Sequence, residues 1–130
     1  MKEALYRAID AQKSVILEAV TELNKIPELG FQEWKTHAYL KKAFENFGYI
    51  LTEPGDIPGF YVDVDTGKPG PCIAVFGELD AIPVNGHPDA DPETGAAHAC
   101  GHHLQCAALL SVAIALKVPG ALMVFAVKSV

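Results

Sequence analysis

The segment CIAVFGELD, residues 72–80, constrains the fold more than any other stretch of this 130-residue chain. Its apolar residues are continuous rather than alternating, which is typical of a β-strand buried on both faces. Two carboxylates, Glu78 and Asp80, follow at the predicted C-terminal end of that strand. Ligands bind at this end of the strands in open α/β sheets, so both side chains are candidates for a binding site. The alternative interpretation is a solvated strand end.

The other segments predict elements that would surround this strand in a single domain. Helical spacing of apolar residues predicts three helices, and continuous or alternating apolar runs predict two further strands. In chain order the predicted elements are helices over residues 3–24 and 33–47, a half-buried strand over 60–65, the buried strand over 72–80, a loop over 81–97, a helix over 104–117 and a central strand over 121–127. This order predicts an α/β sandwich.

Composition excludes several classes of partner. The formal net charge is −6 and the lysines and arginines are scattered, so the chain lacks the basic patch of a nucleic-acid-binding protein. The longest apolar run, residues 107–116, is interrupted by Ser111 and falls well short of the roughly 20 residues of a membrane span. Because the N-terminus has no signal-peptide pattern and three cysteines do not suit a disulfide framework, we expect a cytoplasmic protein without a membrane partner.

The segment HACGHH, residues 98–103, carries the strongest candidates for chemistry. Cys100 and His102 are separated by one glycine and precede a predicted helix, an arrangement in which a thiolate and an imidazole can bind one divalent ion. His98 and His103 are near enough to act as a further ligand or as hydrogen-bond partners of the ligands. A core helix that begins with polar residues is an equally good interpretation of the spacing alone. A redox pair of Cys100 with Cys106 and a Cys–His nucleophile are weaker alternatives.

Three motifs together resemble the N-terminal part of the dinuclear metallo-amidohydrolases, which include aminoacylases, indole-acetyl-amino-acid hydrolases and aminobenzoyl-glutamate hydrolases. The motifs are PELGFQEWKT, GELDAIP and HACGHHLQCAALL, in that order. The resemblance implies a three-layer α/β sandwich of the zinc-peptidase type and hydrolysis of an N-acyl amino acid or a related small amide. It implies a divalent cofactor (zinc, manganese, cobalt or nickel), held by Cys100 and His102, with Asp80 as a supporting catalytic carboxylate. The role of His103 stays open, because relatives often have Asp or Asn there.

The same resemblance places other parts of the family's site further along the chain. They are a glutamate pair, one member of which is the general base, two later histidine ligands and a lid or dimerisation domain. We therefore expect residues 1–130 to be the truncated N-terminal portion of the catalytic domain, which binds metal weakly or not at all and is inactive alone. The alternative is a non-catalytic α/β domain that binds metal weakly or self-associates. An uncovered edge on the strand predicted over residues 121–127 would favour a homo-oligomer.

Overall fold

The computed structural model describes residues 1–124. Their helices and strands are, in chain order, α1 (Lys2–Ala11), α2 (Lys13–Asn24), α3 (Trp34–Asn46), β1 (Ile82–Pro83), β2 (Ala96–Ala97), α4 (His102–Leu116) and α5 (Ala121–Val124). Among these helices, none is long and apolar enough to cross a membrane.

The predicted helices are confirmed, with one difference. The helix expected over residues 3–24 is broken at Gln12, which lies between α1 and α2 with φ −108° and ψ 15°. No proline or glycine stands at this position, so local sequence does not predict the break. Both α1 and α2 pack against α4, and the break at Gln12 allows the two helices to run in different directions along the α4 surface. The helix expected over residues 33–47 is α3, and the one expected over residues 104–117 is α4, which begins at His102.

Helix α4 lies at the centre of the core. Its sequence is apolar on nearly every side, as expected for a helix that is covered by neighbours all around. Helices α1, α2 and α3 all contact it. The larger buried cluster comprises Ala19, Phe44, Ala107, Leu110, Ala113 and Ile114. Cys106 joins Leu23 and Leu40 in a second cluster near the start of α4. This packing fixes the first turn of α4, which carries His102, relative to the rest of the fold.

The two strands predicted in the middle of the chain do not form as regular strands. Within residues 60–65 only Tyr61 pairs, in an isolated antiparallel bridge with Thr52, and residues 72–80 pair with no strand of the described part. In the second segment Ile73, Val75 and Phe76 are 68%, 58% and 84% exposed. A strand needs a neighbour that takes up its backbone hydrogen bonds, and residues 1–124 place none beside this segment.

The strand predicted over residues 121–127 is also wrong for residues 121–124, which the structure describes. Ala121–Val124 forms α5, and residues 125–127 lie outside the described residues. The strands that do form, β1 and β2, lie within the segment predicted to be a loop, where Ile82 pairs with Ala97 in an antiparallel register. The described part of the chain therefore combines helices with a two-stranded sheet. The three-layer sandwich stays a prediction.

Candidate functional site

The segment over residues 77–80 is held against the first two turns of α4. The Cys106 thiol donates a hydrogen bond to the Glu78 carbonyl oxygen at 3.1 Å, and the Glu78 N–H donates to Gln105 Oε1 at 3.3 Å. Gly77 lies so close to α4 that a Cβ there would stand 3.3 Å from Leu109 Cδ2. These contacts bring the carboxylates that follow the apolar run to the N-terminus of α4, although the run itself is not a regular strand.

His102 is the centre of this arrangement. Its Nδ1 atom lies 2.9 Å from Asp80 Oδ1 and 3.0 Å from the Asp80 carbonyl oxygen. Because both neighbours are acceptors, Nδ1 carries the hydrogen and donates it to Asp80. The Nε2 atom lies 3.2 Å from Glu78 Oε2. The imidazole side chain is 16% exposed, whereas Glu78 is 60% exposed, so the open side of the ring faces solvent beside a carboxylate.

The short contact between Nε2 and Glu78 requires a proton or a metal ion between the two atoms. A lone pair on Nε2 and a carboxylate oxygen repel each other unless a proton or a metal ion lies between them. Two ligand atoms about 2.1 Å from one tetrahedral ion stand ~3.4 Å apart, close to the observed 3.2 Å. The donor chemistry therefore fits a divalent metal. Within residues 1–124, however, no three His, Cys, Asp or Glu side chains are placed to hold one ion together.

Cys100 lies in the turn that leads into α4. Gly101 has φ 80°, the left-handed conformation that glycine adopts without a steric penalty, and it joins this turn to His102. Cys100 is exposed and forms no disulfide. Of the two predicted ligands, His102 contacts Asp80. Cys100 is exposed to solvent in the turn before it.

The other cysteine near the site has a structural role. Cys106 is 2% exposed. Burial raises the pKa of its thiol to about 12, and the nearby charges of Asp80 and Glu78 act in the same direction. Cys106 therefore stays protonated at neutral pH, as a hydrogen-bond donor within the core. A redox pair with the exposed Cys100 does not form here.

His98 and His103 form a separate pair of imidazoles. Their ring centroids are 4.8 Å apart, with an angle of 41° between the planes. Burial lowers the pKa of both side chains, and for His98 the charge of His103 adds to the effect. Both nitrogens of His98 and Nδ1 of His103 are buried and have no hydrogen-bond partner among the described residues. The structure places neither ring in a hydrogen bond with His102 or Asp80.

A cavity of about 430 Å³ opens next to Asp80 and Glu78. Its walls come from three segments. They are residues 30, 31 and 33 before α3, residues 58–59, and residues 77–80. Glu33 lies in the first wall and is only 8% exposed. Glu33 is not predictable as a cavity residue from the sequence, because the motif PELGFQEWKT locally predicts a turn followed by the start of a helix.

Curated proteins similar to this chain are named as a hydrolase, as deacetylases and as amidohydrolases. An uncharacterised hydrolase of Sinorhizobium fredii is 33% identical over 113 residues, which is 82% of this chain and 28% of that protein. The N-acetyl-L-cysteine deacetylase of Bacillus subtilis is 36% identical over 98 residues, 73% of this chain and 24% of the relative. The N-acyl-L-amino acid amidohydrolase of Geobacillus stearothermophilus is 30% identical over 115 residues, 86% of this chain and 31% of the relative.

The chain thus spans less than a third of the length of these relatives. No protein-family profile matches it, and no solved structure matches it. The relatives nevertheless cover most of this chain, and the resemblance inferred from its motifs is confirmed. The chain belongs to the amidohydrolase family and corresponds to the N-terminal part of its members.

Proposed function

We propose that this chain supplies part of the active site of a metal-dependent amidohydrolase that removes the acyl group from an N-acyl amino acid. The observation that carries the proposal is the orientation of His102, whose Nδ1 donates to Asp80 while Nε2 faces the carboxylate of Glu78. The names of two relatives, an N-acetyl-L-cysteine deacetylase and an N-acyl-L-amino acid amidohydrolase, support the substrate class.

In this proposal His102 and Cys100 hold the ion, and Asp80 acts through His102. A carboxylate that accepts the Nδ1 hydrogen fixes the tautomer, makes Nε2 the ligand atom and raises its basicity. The exposed Cys100 thiol can supply a thiolate ligand beside it. Zinc, manganese, cobalt or nickel suits such donors. Such an ion would supply Lewis-acid chemistry, which would polarise the amide carbonyl and activate water for attack.

The setting that we propose for this site is a three-layer catalytic domain of the zinc-peptidase type, of which residues 1–130 are the N-terminal portion. The exposed apolar side chains of Ile73, Val75 and Phe76 support it, because a central sheet is where a continuous apolar run becomes covered. Three free cysteines agree with a reducing, cytoplasmic location.

A cobalt titration tests the ligand assignment directly. Cobalt bound to a thiolate gives a charge-transfer absorption band in the near ultraviolet, so the wild type should develop this band and Cys100→Ser should lose it. His102→Ala should abolish cobalt binding, and Asp80→Asn should weaken it about 10- to 100-fold. Cys72→Ser and His87→Ala are matched controls, because both residues lie outside the site. A band that persists in Cys100→Ser would contradict the assignment.

The second candidate function is a non-catalytic domain that binds metal weakly or self-associates. The incomplete ligand set within residues 1–124 favours it. For the same reason we expect the isolated chain to bind its ion weakly and to release no amino acid from N-acyl substrates. The absorption spectrum of the bound cobalt distinguishes the two candidate functions. An N-acyl amino acid should change the cobalt bands only if the ion lies in a substrate site. An unchanged spectrum at saturating ligand would favour the non-catalytic domain.

Self-association has its own test. The exposed run that contains Ile73, Val75 and Phe76 supports a homo-oligomer, because apolar side chains along an unpaired segment are prone to pair with another copy. Sedimentation velocity over a range of concentrations should show an oligomer that Phe76→Lys shifts towards monomer. A single monomeric species at every concentration would rule this out.

A further inference from the structure

His37 is a buried histidine that makes one of its hydrogen bonds in a single protonation state only. Its Nδ1 atom accepts the Gly59 N–H at 2.8 Å, and its Nε2 atom lies 2.9 Å from Glu53 Oε1. Because a backbone N–H can only donate, Nδ1 must carry a lone pair, and Nε2 carries the hydrogen. The residue is 7% exposed, so water does not replace either partner while the surrounding structure is in place.

The far end of the loop over residues 53–60 is attached to α3 through this bond. At the base of the loop, Thr52 and Tyr61 exchange two backbone hydrogen bonds of 2.9 Å. Within the described loop, Gly59 is the one residue whose backbone N–H finds an acceptor. Gly55 and Gly59 have φ of 101° and 124°, a region that glycine adopts without a steric penalty. The chain between these two glycines can therefore move once the bond is lost.

Protonation of His37 acts oppositely on its two contacts. An imidazolium carries an N–H at both ring nitrogens, so Nδ1 and the Gly59 N–H would face each other as two donors. The contact with Glu53 would instead become a charge-assisted hydrogen bond. Lys41 keeps that carboxylate in place, since its Nζ lies 2.6 Å from Glu53 Oε2. Protonation therefore removes the attachment of the loop at Gly59 and strengthens the contact at Glu53.

The charged groups around His37 favour the imidazolium form. Glu53 is its direct partner, and Lys41, one turn further along α3, pairs with the same carboxylate. The charge of Glu53 thus compensates that of Lys41. A carboxylate nearby stabilises the charged form of a histidine. Four further carboxylates lie on the loop or line the cavity that Gly59 borders, and they are Asp56, Glu33, Glu78 and Asp80.

We propose that His37 is a pH-sensitive attachment point, which holds the loop over residues 53–60 against α3 when neutral and releases its far end when protonated. Residues 58–59 form one wall of the cavity of about 430 Å³ beside Asp80 and Glu78, so release opens that side of the cavity. Histidine side chains ordinarily change charge between about pH 5 and 8, and a fall in pH across this range drives the release. The switch involves neither Cys100 nor His102, so its failure would leave the proposed amidohydrolase function standing.

Amide hydrogen exchange of the whole chain, followed by NMR spectroscopy, tests the release. The protection factor of the Gly59 N–H relates its exchange rate to that of an unstructured peptide at the same pH. Between about pH 7.5 and 5.5 this factor should fall about tenfold, within the limit of tenfold per pH unit for one proton taken up on opening. The Tyr61 N–H, which bonds the Thr52 carbonyl at the base of the loop, should keep its protection within about twofold.

Two substitutions at the attachment point separate the switch from a merely structural role. His37→Asn retains a side-chain acceptor for the Gly59 N–H but takes up no proton in this range, so its protection should not depend on pH. Glu53→Gln removes the charge that stabilises the imidazolium and should retain more protection of Gly59 at about pH 5.5 than the wild type. The matched control is His87→Asn, because His87 Nδ1 also accepts a backbone N–H, that of Asp89 at 3.1 Å. This variant should keep the wild-type pH dependence.

Four results would overturn the proposal. The first is a Gly59 protection factor that is independent of pH in the wild type, and the second is one that falls equally in His37→Asn. The third is an equal fall at Gly59 and Tyr61, which would indicate global unfolding rather than release of the loop. The fourth is a lower protection of Gly59 in Glu53→Gln than in the wild type at about pH 5.5.

Discussion

Replacement of His37 should destabilise the fold measurably, because this residue connects α3 to the loop that forms one cavity wall. His37 is 7% exposed and accepts a hydrogen bond from the Gly59 N–H at Nδ1. This bond fixes the tautomer, so Nε2 carries the hydrogen and donates to Glu53 Oε1 at 2.9 Å. The ring also packs edge-on against Phe60, with centroids 5.9 Å apart.

The magnitude follows from two of these interactions. Loss of the Gly59 hydrogen bond costs about 1 kcal/mol, and loss of the buried ring leaves a cavity that costs about 2 kcal/mol. The Glu53 carboxylate is more than one-third exposed, so water replaces most of that contact. His37→Ala should therefore lower the free energy of unfolding by about 3 kcal/mol, a large part of the stability of a small domain.

Denaturant unfolding followed by circular dichroism measures this loss, with His37→Asn as the matched variant. The Asn side-chain oxygen stands near the position of Nδ1 and can still accept the Gly59 hydrogen bond, so His37→Asn should recover about 1 kcal/mol relative to His37→Ala. A loss below about 1 kcal/mol for His37→Ala, or equal losses for the two variants, would refute the reasoning.

Two further predictions concern titration and thiol chemistry. The hydrogen bond from Lys41 lowers the pKa of Glu53 below its ordinary value of 4.5. This contact therefore stabilises the fold above pH 4.5, and the stabilisation is lost as the pH falls below that value. Glu53→Gln should therefore make the free energy of unfolding less dependent on pH in the acid range, and an unchanged dependence would contradict this. At neutral pH, Cys72 and Cys100 should react quickly with a thiol reagent and Cys106 only after unfolding, because burial raises the pKa of Cys106 to about 12. Mass spectrometry of labelled peptides measures the rate for each cysteine, and zinc should protect Cys100 but not Cys72 from the reagent. Labelling of Cys106 before unfolding would contradict its burial.

Much of the candidate site is predictable from sequence. The motifs HACGHH and GELDAIP point to Cys100, His102 and Asp80, and the structure brings His102 and Asp80 into contact at 2.9 Å. The prediction that Glu78 and Asp80 lie at a binding site depended on the buried strand, which does not form as a regular strand. The contact arises instead because Cys106 and Gln105 hold the segment against α4. His102 and Asp80 thus meet without the regular strand that was predicted before them, and the metal site itself stays a prediction.

The sequence by itself determined the helices and the family. Helical periodicity and end signals such as Gly48, which has φ 74°, act within one segment, so α3 and α4 can be predicted without knowledge of their neighbours. Only the tertiary structure decided the break at Gln12, the absence of regular strands over residues 60–65 and 72–80, and the burial of Glu33. A strand depends on hydrogen-bond partners distant in the chain. The burial of a carboxylate likewise depends on which distant segments pack against it. Neither strand pairing nor this burial is encoded in a local sequence pattern.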